Sequence, residues 1–521
     1  MKRAIATAAG LSLLCTAAVT SAAELRIGVA AEITSLDPHY HNYTPNNAMA
    51  GHVFDPLIRQ DERQRLQPAL ATAWRALDDT TWEVELRRGV TFHGGAPFTA
   101  EDVAATLRRV PAVPNNPSSF VQFTGAIHAV EVVDPHRLRL RTTRPHPLLP
   151  QDLSQVSILP RTAEGAATDA FNAARATDGT GPFRMVRWQR GDRIEMTRND
   201  GYWGAKPAWE RVTFRLMTSD PSRVAALLSR DVDAIDGVPT GDIARLRANP
   251  AVAISSTGSN RVMILQLDSG REVTPFVSGK DGRPLPANPL RDARVRQAIS
   301  LAFNRTAIAE RAMDGQAIPT GQMVPEGFFG HDPTIPVPVF DPDRARALLA
   351  EAGYPDGFSL TLHAPNNRYV NDDRVAQALG GMLMRIGIAA RVETMPSTVF
   401  FPRWGRLEHS VQLVGWGSST GEAAGSLRAH VASFDRSRGF GTSNVGRYSN
   451  PEVDALLTRA LATIDDRSRE DLLRQVTRIA MRDVAFVPLH FQVNVWATRR
   501  GISYAARSDE TTVAWGFTPA Q

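Results

Sequence analysis

A single cysteine, Cys15, occurs among the 521 residues, and it lies inside an N-terminal segment that reads as a removable export signal. Lys2 and Arg3 make a basic start, Ala4 to Val19 an apolar run, and Thr20, Ser21, Ala22 and Ala23 a small-residue cleavage region. The run is too short and too alanine-rich to cross a hydrocarbon core of ~30 Å as an anchor. Leu14 stands before Cys15, where lipid attachment wants a small residue. Cleavage after Ala22 or Ala23 leaves no cysteine, so neither a disulfide nor a thiolate-held metal can staple the mature chain. Such an exported chain must be stabilised by the size of its own core. The remaining ~500 residues point to at least two domains.

The formal charge is +5, and Lys2 and Arg3 supply two of those charges. Arginine and acidic residues are interspersed along the chain, as on solvated helix faces, with no basic block. No nucleic-acid partner is expected. No later segment is long and apolar enough to span a membrane.

Strand and helix patterns alternate throughout. Leu25, Ile27 and Val29 alternate with Arg26 and Gly28, so a strand opens the mature chain. The same period recurs at Trp82, Val84 and Leu86, at Leu138 and Leu140 among three arginines, and at Val212, Phe214 and Leu216. Thr99 to Asp102 reads as a capping-box variant ahead of Val103, Leu107 and Val110. Asp292, Asp341-Pro342 and Asn450-Pro451 each place a cap before an apolar stripe. Gly353 supplies a left-handed stop to the stripe that follows Asp341. Ser269 to Asn288, rich in glycine and proline, reads as an exposed insertion. There is no internal repeat.

Five segments, in order, resemble the peptide-binding family of bacterial ABC-importer solute receptors. They are Ser35-Leu36-Asp37-Pro38, Trp82 through Leu107, Gly179-Thr180-Gly181-Pro182-Phe183 with Arg198 to Trp203, Asp292 to Ile299 with Asn304-Arg305, and Phe340-Asp341-Pro342 through Gly353-Tyr354. The resemblance implies an α/β chain of two lobes, the periplasmic-binding-protein fold of class II type, with an extra subdomain inserted in the first lobe. It implies a signal over 1–23, a first lobe over 24–260 with the insert at about 47–176, a second lobe over 261–489, and a C-terminal return to the first lobe over 490–521. Most of these motif residues read as scaffold. Gly94-Gly95 and Gly179-Gly181 read as turns needing positive φ, Trp82, Phe98 and Trp203 as core, and Asp102 and Asp292 as caps.

The implied role is a monomeric, periplasmic receptor that captures a small solute by closing its lobes and hands it to the permease subunits of an importer. No cofactor and no catalysis are implied. Candidate ligand contacts fall in three loops: Tyr40, His41, Asn42 and Tyr43 after the opening strand; Asn366, Arg368 and Tyr369 after the strand Leu360 to His363; and Trp416, Ser419 and Glu422. Arg368 could hold an anionic group with its planar fork. At Ser419 the family typically has an aspartate that takes a peptide's α-amine. A serine cannot neutralise a buried ammonium group, so either Glu422 takes that role or the ligand lacks the amine. The expected ligand is a peptide or peptide-like solute. The alternatives are an opine, a modified sugar, an anionic metabolite or a metal complex. Gly417-Ser418-Ser419-Thr420-Gly421 also matches a nucleophile elbow, the mark of a serine hydrolase, with His430, His490 and Asp454 downstream. His39, His41 and His52 form the one dense histidine group, a weak metal signal.

Overall fold

The computed structural model describes residues 23–520. The expected signal lies outside the described residues, apart from Ala23. None of the described helices is long and apolar enough to cross a membrane.

Twelve strands form one continuous curled sheet. The opening strand Glu24–Val29 runs parallel to Arg211–Leu216 and to the short strand Ala234–Ile235. Its alternation is used as the sequence suggests. Leu25 and Ile27 are fully buried with Val212 and Phe214, while Arg26 turns outward to the Asp233 carboxylate. The same cluster takes in Trp496, Tyr504 and Phe517, so the C-terminal segment packs against the strand that opens the described chain.

Two long strands, Val252–Leu267 and Val487–Arg499, run antiparallel through the middle of the sheet. Their apolar run from Val262 to Leu267 is nearly continuous because both faces are covered. Met263, Leu265 and Leu267 enter one core with Phe303, Leu348 and Leu379, while Val262 and Ile264 enter another with Leu427, Leu457 and Val476. The register of the two strands shifts between Gly258 and Val262. A bulge of this kind re-aims the side chains within it, here Ser259, Asn260 and Arg261.

A separate four-stranded antiparallel sheet is built from Ala71–Ala76, Thr81–Leu86, Arg137–Thr142 and Ile127–Asp134. Leu138 and Leu140 are buried against Val84 and Phe98, while the alternating arginines form an ion-pair ladder with Glu83 and Glu131 on the other face.

The helix starts are those that the caps predict. Asp341 accepts from the Arg344 N–H at 2.8 Å, Asp292 from Arg294 at 2.8 Å and Asn450 from Glu452 at 3.0 Å. Asp102 reaches back to the Thr99 N–H at 2.8 Å, and Gly353 stops its helix at φ +92°. The stretch from Ser269 to Asn288 is mostly exposed but contributes the edge strand Val277–Ser278 and is anchored at its end by the buried Asn288. Gly95 adopts positive φ as expected and Gly94 does not; nor do Gly179 and Gly181. They are needed for close approach instead. A Cβ at Gly179 would lie 1.9 Å from the Val53 carbonyl oxygen, and one at Gly181 would lie 2.6 Å from the Val53 carbonyl carbon. Trp82 and Phe98 are buried as expected. Trp203 is half-buried, and its indole N–H donates to Asp55 at 2.8 Å.

Candidate ligand-binding site

The strand bulge opens onto a cavity of about 210 Å³ where several distant pieces of chain meet. The helix Thr44–Val53 and the hairpin strand Ile58–Gln60 form one side, with Asn47, Gly51, Arg59 and Gln60. Ser154, Gln155 and Ser157 complete it. The bulge adds Asn260 and Arg261, and the strand Val411–Gly417 leads into Ser419. The C-terminal segment adds Arg507, Asp509, Glu510, Thr511 and Trp515.

The charges in this wall are arranged in pairs. Arg261 gives two bonds of 2.7 Å to the Glu510 carboxylate, and Ser259 adds a third at 3.1 Å. Burial opposes the Glu510 charge, but these partners hold its pKa below the ordinary carboxylate value. Arg507 clamps Asp509 and also donates to the carbonyls of Gln60 and Asp61, tying the C-terminal segment to the hairpin. Arg59 bonds to Asp55 and, at 2.9 Å, to the Tyr202 hydroxyl, and lies 5.7 Å from the Trp515 ring centre. Its guanidinium is thus fixed in place at the cavity wall.

Across the cavity mouth, amide side chains converge on the turn after Gly417. Gln60 and Gln155 donate to the Ser419 carbonyl at 2.9 and 3.0 Å. Gln64 and Asn260 donate to the Ser418 carbonyl at 2.8 and 2.7 Å. These bonds join segments up to 359 residues apart in sequence and hold the two sides together.

Residues 65–437 match the family model described as bacterial extracellular solute-binding proteins, family 5 middle. This chain belongs to that family. A protein of Salmonella choleraesuis named glutathione-binding protein GsiB is 30% identical over 480 residues, covering 90% of this chain and 89% of that one. Among solved structures, HbpA2 from Haemophilus parasuis superposes with a TM-score of 0.81 at 22% identity, covering 96% of this chain and 100% of that one. AgaA from A. tumefaciens R10, in complex with agropinic acid, gives a TM-score of 0.75 at 24% identity, covering 96% and 99%. The fold is therefore the two-lobed α/β fold of family 5 periplasmic binding proteins, and the chain is the substrate-binding component of an ABC importer. The relatives are solute-binding proteins, not enzymes.

In this receptor Ser419 is the one sequence-derived candidate that lines the central cavity, where its exposed side chain sits beside a carbonyl engaged by Gln60 and Gln155. Tyr40 and His41 line a different groove of about 820 Å³, with Arg109 and Asn172. His41 bonds to the Thr34 hydroxyl and stacks on Tyr43, which occupies the N-cap of the helix Thr44–Val53. Asn42 accepts from Asn47 at 2.8 Å, and Asn47 reaches the cavity. Asn366 and Arg368 are exposed and lie outside the cavity lining. Tyr369 lies behind it, its ring 5.9 Å from the Arg261 guanidinium and its hydroxyl donating to the Gly415 carbonyl. Trp416 turns into the core, its indole N–H bonded to Ser426 and its ring 4.5 Å from His430.

Glu422 is buried outside the central cavity, bonded at 2.7 Å to Arg469. Burial, partly offset by Arg469, pushes its pKa up to about 7. The elbow pattern does sit between the strand Val411–Gly417 and the helix Ala423–His430. His430, however, is buried, with Nδ1 bonded to Gln266 and its ring against Trp416. The dense histidines are spent separately. His39 bonds to Ser157 and Arg109, His52 accepts from the Ala514 N–H, and His41 holds Thr34. Among the described residues no group of three or more potential metal ligands converges.

Sequence reasoning missed Arg59, Arg261 and the segment from Arg507 to Trp515. The signal for the last was present: Ser508 to Thr512 is a wholly polar run between apolar strands.

Proposed function

We propose that this receptor captures, in the periplasm, a small peptide-like solute carrying both carboxylate and ammonium groups. The observation that carries this reading is the mixed charge of the cavity wall, with Arg59, Arg261 and Arg507 set among Asp509 and Glu510. Arg59 offers a preformed anion contact. The carboxylates of Asp509 and Glu510 stand where a ligand cation can share them, which removes the need for an acid at Ser419. The relative named for glutathione supports the peptide-like class. In this reading the chain is exported by its N-terminal signal, works as a monomer and performs no catalysis. The first lobe spans 24–260 with its insert at about 47–176, the second spans 261–489, and 490–521 returns to the first. The lobes close about the bulge at Ser259–Arg261, and importer permease subunits receive the ligand.

A second reading, a non-peptide organic solute such as an opine, draws on Ser419 in place of an acid and on the neighbour solved with agropinic acid. Native mass spectrometry of the receptor purified from its own periplasm identifies retained ligand. Thermal shift against di- to pentapeptides, glutathione and opines then ranks the classes. A ligand at ~100 times its dissociation constant adds ~2.7 kcal/mol. Shifts from opines with none from any peptide would replace the first reading by the second.

A further inference from the structure

On the far side of the Ser418–Gly421 turn from the central cavity, one hydrogen bond joins the half-buried Gln151 to the buried Glu422 from opposite walls of the cleft. Gln151, in the helix Leu149–Leu153, donates its Nε2 to Glu422 Oε2 at 3.3 Å. Arg469, in the helix Asp466–Arg482, donates to the same oxygen at 2.7 Å. The Gln151 amide oxygen Oε1 and the second carboxylate oxygen, Glu422 Oε1, are both buried and have no hydrogen-bond partner. Both are acceptors while Glu422 is ionised, and a bare carboxylate oxygen deprived of water is strongly unfavourable. One proton resolves both. Protonation turns Glu422 Oε1 into a donor, which the unpartnered Gln151 carbonyl lacks, while the amide N–H still donates to Oε2.

We propose that Glu422 and Gln151 form a proton-requiring latch, positioning residues that hold the lobes closed when Glu422 is a neutral acid. The surroundings favour that form. Asp152, buried beside Gln151 and bonded to His146, and Asp466 on the Arg469 helix both oppose a charge on Glu422. Arg469 and the Gln151 amide N–H favour it, but Arg469 is shared with Asp466 and stacks 4.1 Å from the Phe329 ring centre. Around the neighbouring pocket Arg474 pairs with Glu470, Arg65 with Asp61 and His331 bonds to the Val324 carbonyl, while Arg63 completes the rim.

The linkage has a definite sign. Opening takes Gln151 and Asp152 away from Glu422 and lets water reach it beside Arg469, so its pKa falls toward the ordinary 4.5 from about 7 when closed. The closed form therefore binds the extra proton. Closure is strongest below about pH 4.5, weakens up to tenfold per unit as pH rises toward 7, and levels off above that. The inference rests on lobe closure but not on the identity of the ligand.

The mature chain has no cysteine, so Glu101→Cys with Arg459→Cys, both exposed and on opposite sides of the cleft, allows spin-label distance measurement on the ligand-free full receptor. The expected result is a closed-distance fraction that falls between pH 5 and 7. Glu422→Gln, which keeps a donor at every pH, stays closed and loses that slope. Gln151→Met, which leaves the Arg469 pair intact, opens the receptor below pH 7 and also flattens the slope. A pH-independent wild type, a slope that survives in Glu422→Gln, or a Gln151→Met variant that closes like wild type each overturns the latch.

Discussion

Asp37 shows how a motif residue can look functional and act as a clamp. It accepts from both Arg109 terminal nitrogens, at 3.0 and 2.7 Å, from the Thr168 hydroxyl at 2.7 Å and from the His39 N–H. Burial works against its charge, yet these donors hold its pKa below the ordinary value. The pair is almost wholly enclosed, so removing one partner strands the other. Arg109→Ala is expected to cost about 3–5 kcal/mol, read as a lowered urea midpoint. A loss under 1 kcal/mol would mean that water reaches Asp37. The same scale explains why the candidate site was only partly legible. The segment holding Trp416 and Ser419 was singled out because a strand end and the turn after it are recognisable in sequence. Which way each side chain points was not, because Trp416 is drawn inward by Ser426 and His430, both downstream on the next helix. Arg59 and Arg261 resemble ordinary outward arginines until the fold sets them around one cavity.

At the scale of elements, local chemistry was readable and long-range contact was not. Caps at Asp292, Asp341 and Asn450 act within four residues of themselves, so the sequence contains the whole interaction. The strand bulge at Ser259–Arg261 depends on a partner more than 200 residues away, and nothing local announces it. Gly179 belongs to the second kind. Its role is to let the chain pass against the end of the helix Thr44–Val53, where Gly181 N–H donates to the Val53 carbonyl at 2.9 Å. Gly179→Ala must push backbone apart and is expected to cost about 1–3 kcal/mol or more. Gly381, inside the helix Asp372–Arg385, has nothing within 4 Å of a Cβ and ordinary φ. Gly381→Ala is expected to gain up to ~1 kcal/mol. Chemical denaturation of the two variants side by side checks the pair, and equal effects would refute the close-approach argument.

Across the whole molecule, the described residues contain no cysteine and are stabilised by burying extensive cores, and those cores enclose histidines. His39, His52, His409, His430 and His490 are all buried. Desolvation pushes the first three and His490 down to about 4 and His430 to about 3. Each is neutral when folded and takes a proton near its ordinary value of 6.5 when unfolded. The sign is that of a depressed base: the stabilising contribution is complete above pH 6.5 and is lost as pH falls toward 4. Each such group costs up to ~1.4 kcal/mol per pH unit. Acting together, they make unfolding take up several protons across that window. The unfolding free energy from urea titrations is therefore expected to drop steeply between pH 6.5 and 5, with a slope well beyond one proton. A flat profile there would show that the imidazoles are hydrated in the folded state. Over the same window Glu422 works in the opposite sense on closure, since its closed form gains a proton while the buried histidines resist theirs. Mild acid should thus tighten the lobes about the cavity even as it lowers the stability of the fold around them. Only a receptor whose closure and unfolding are separate equilibria can show both trends in one titration.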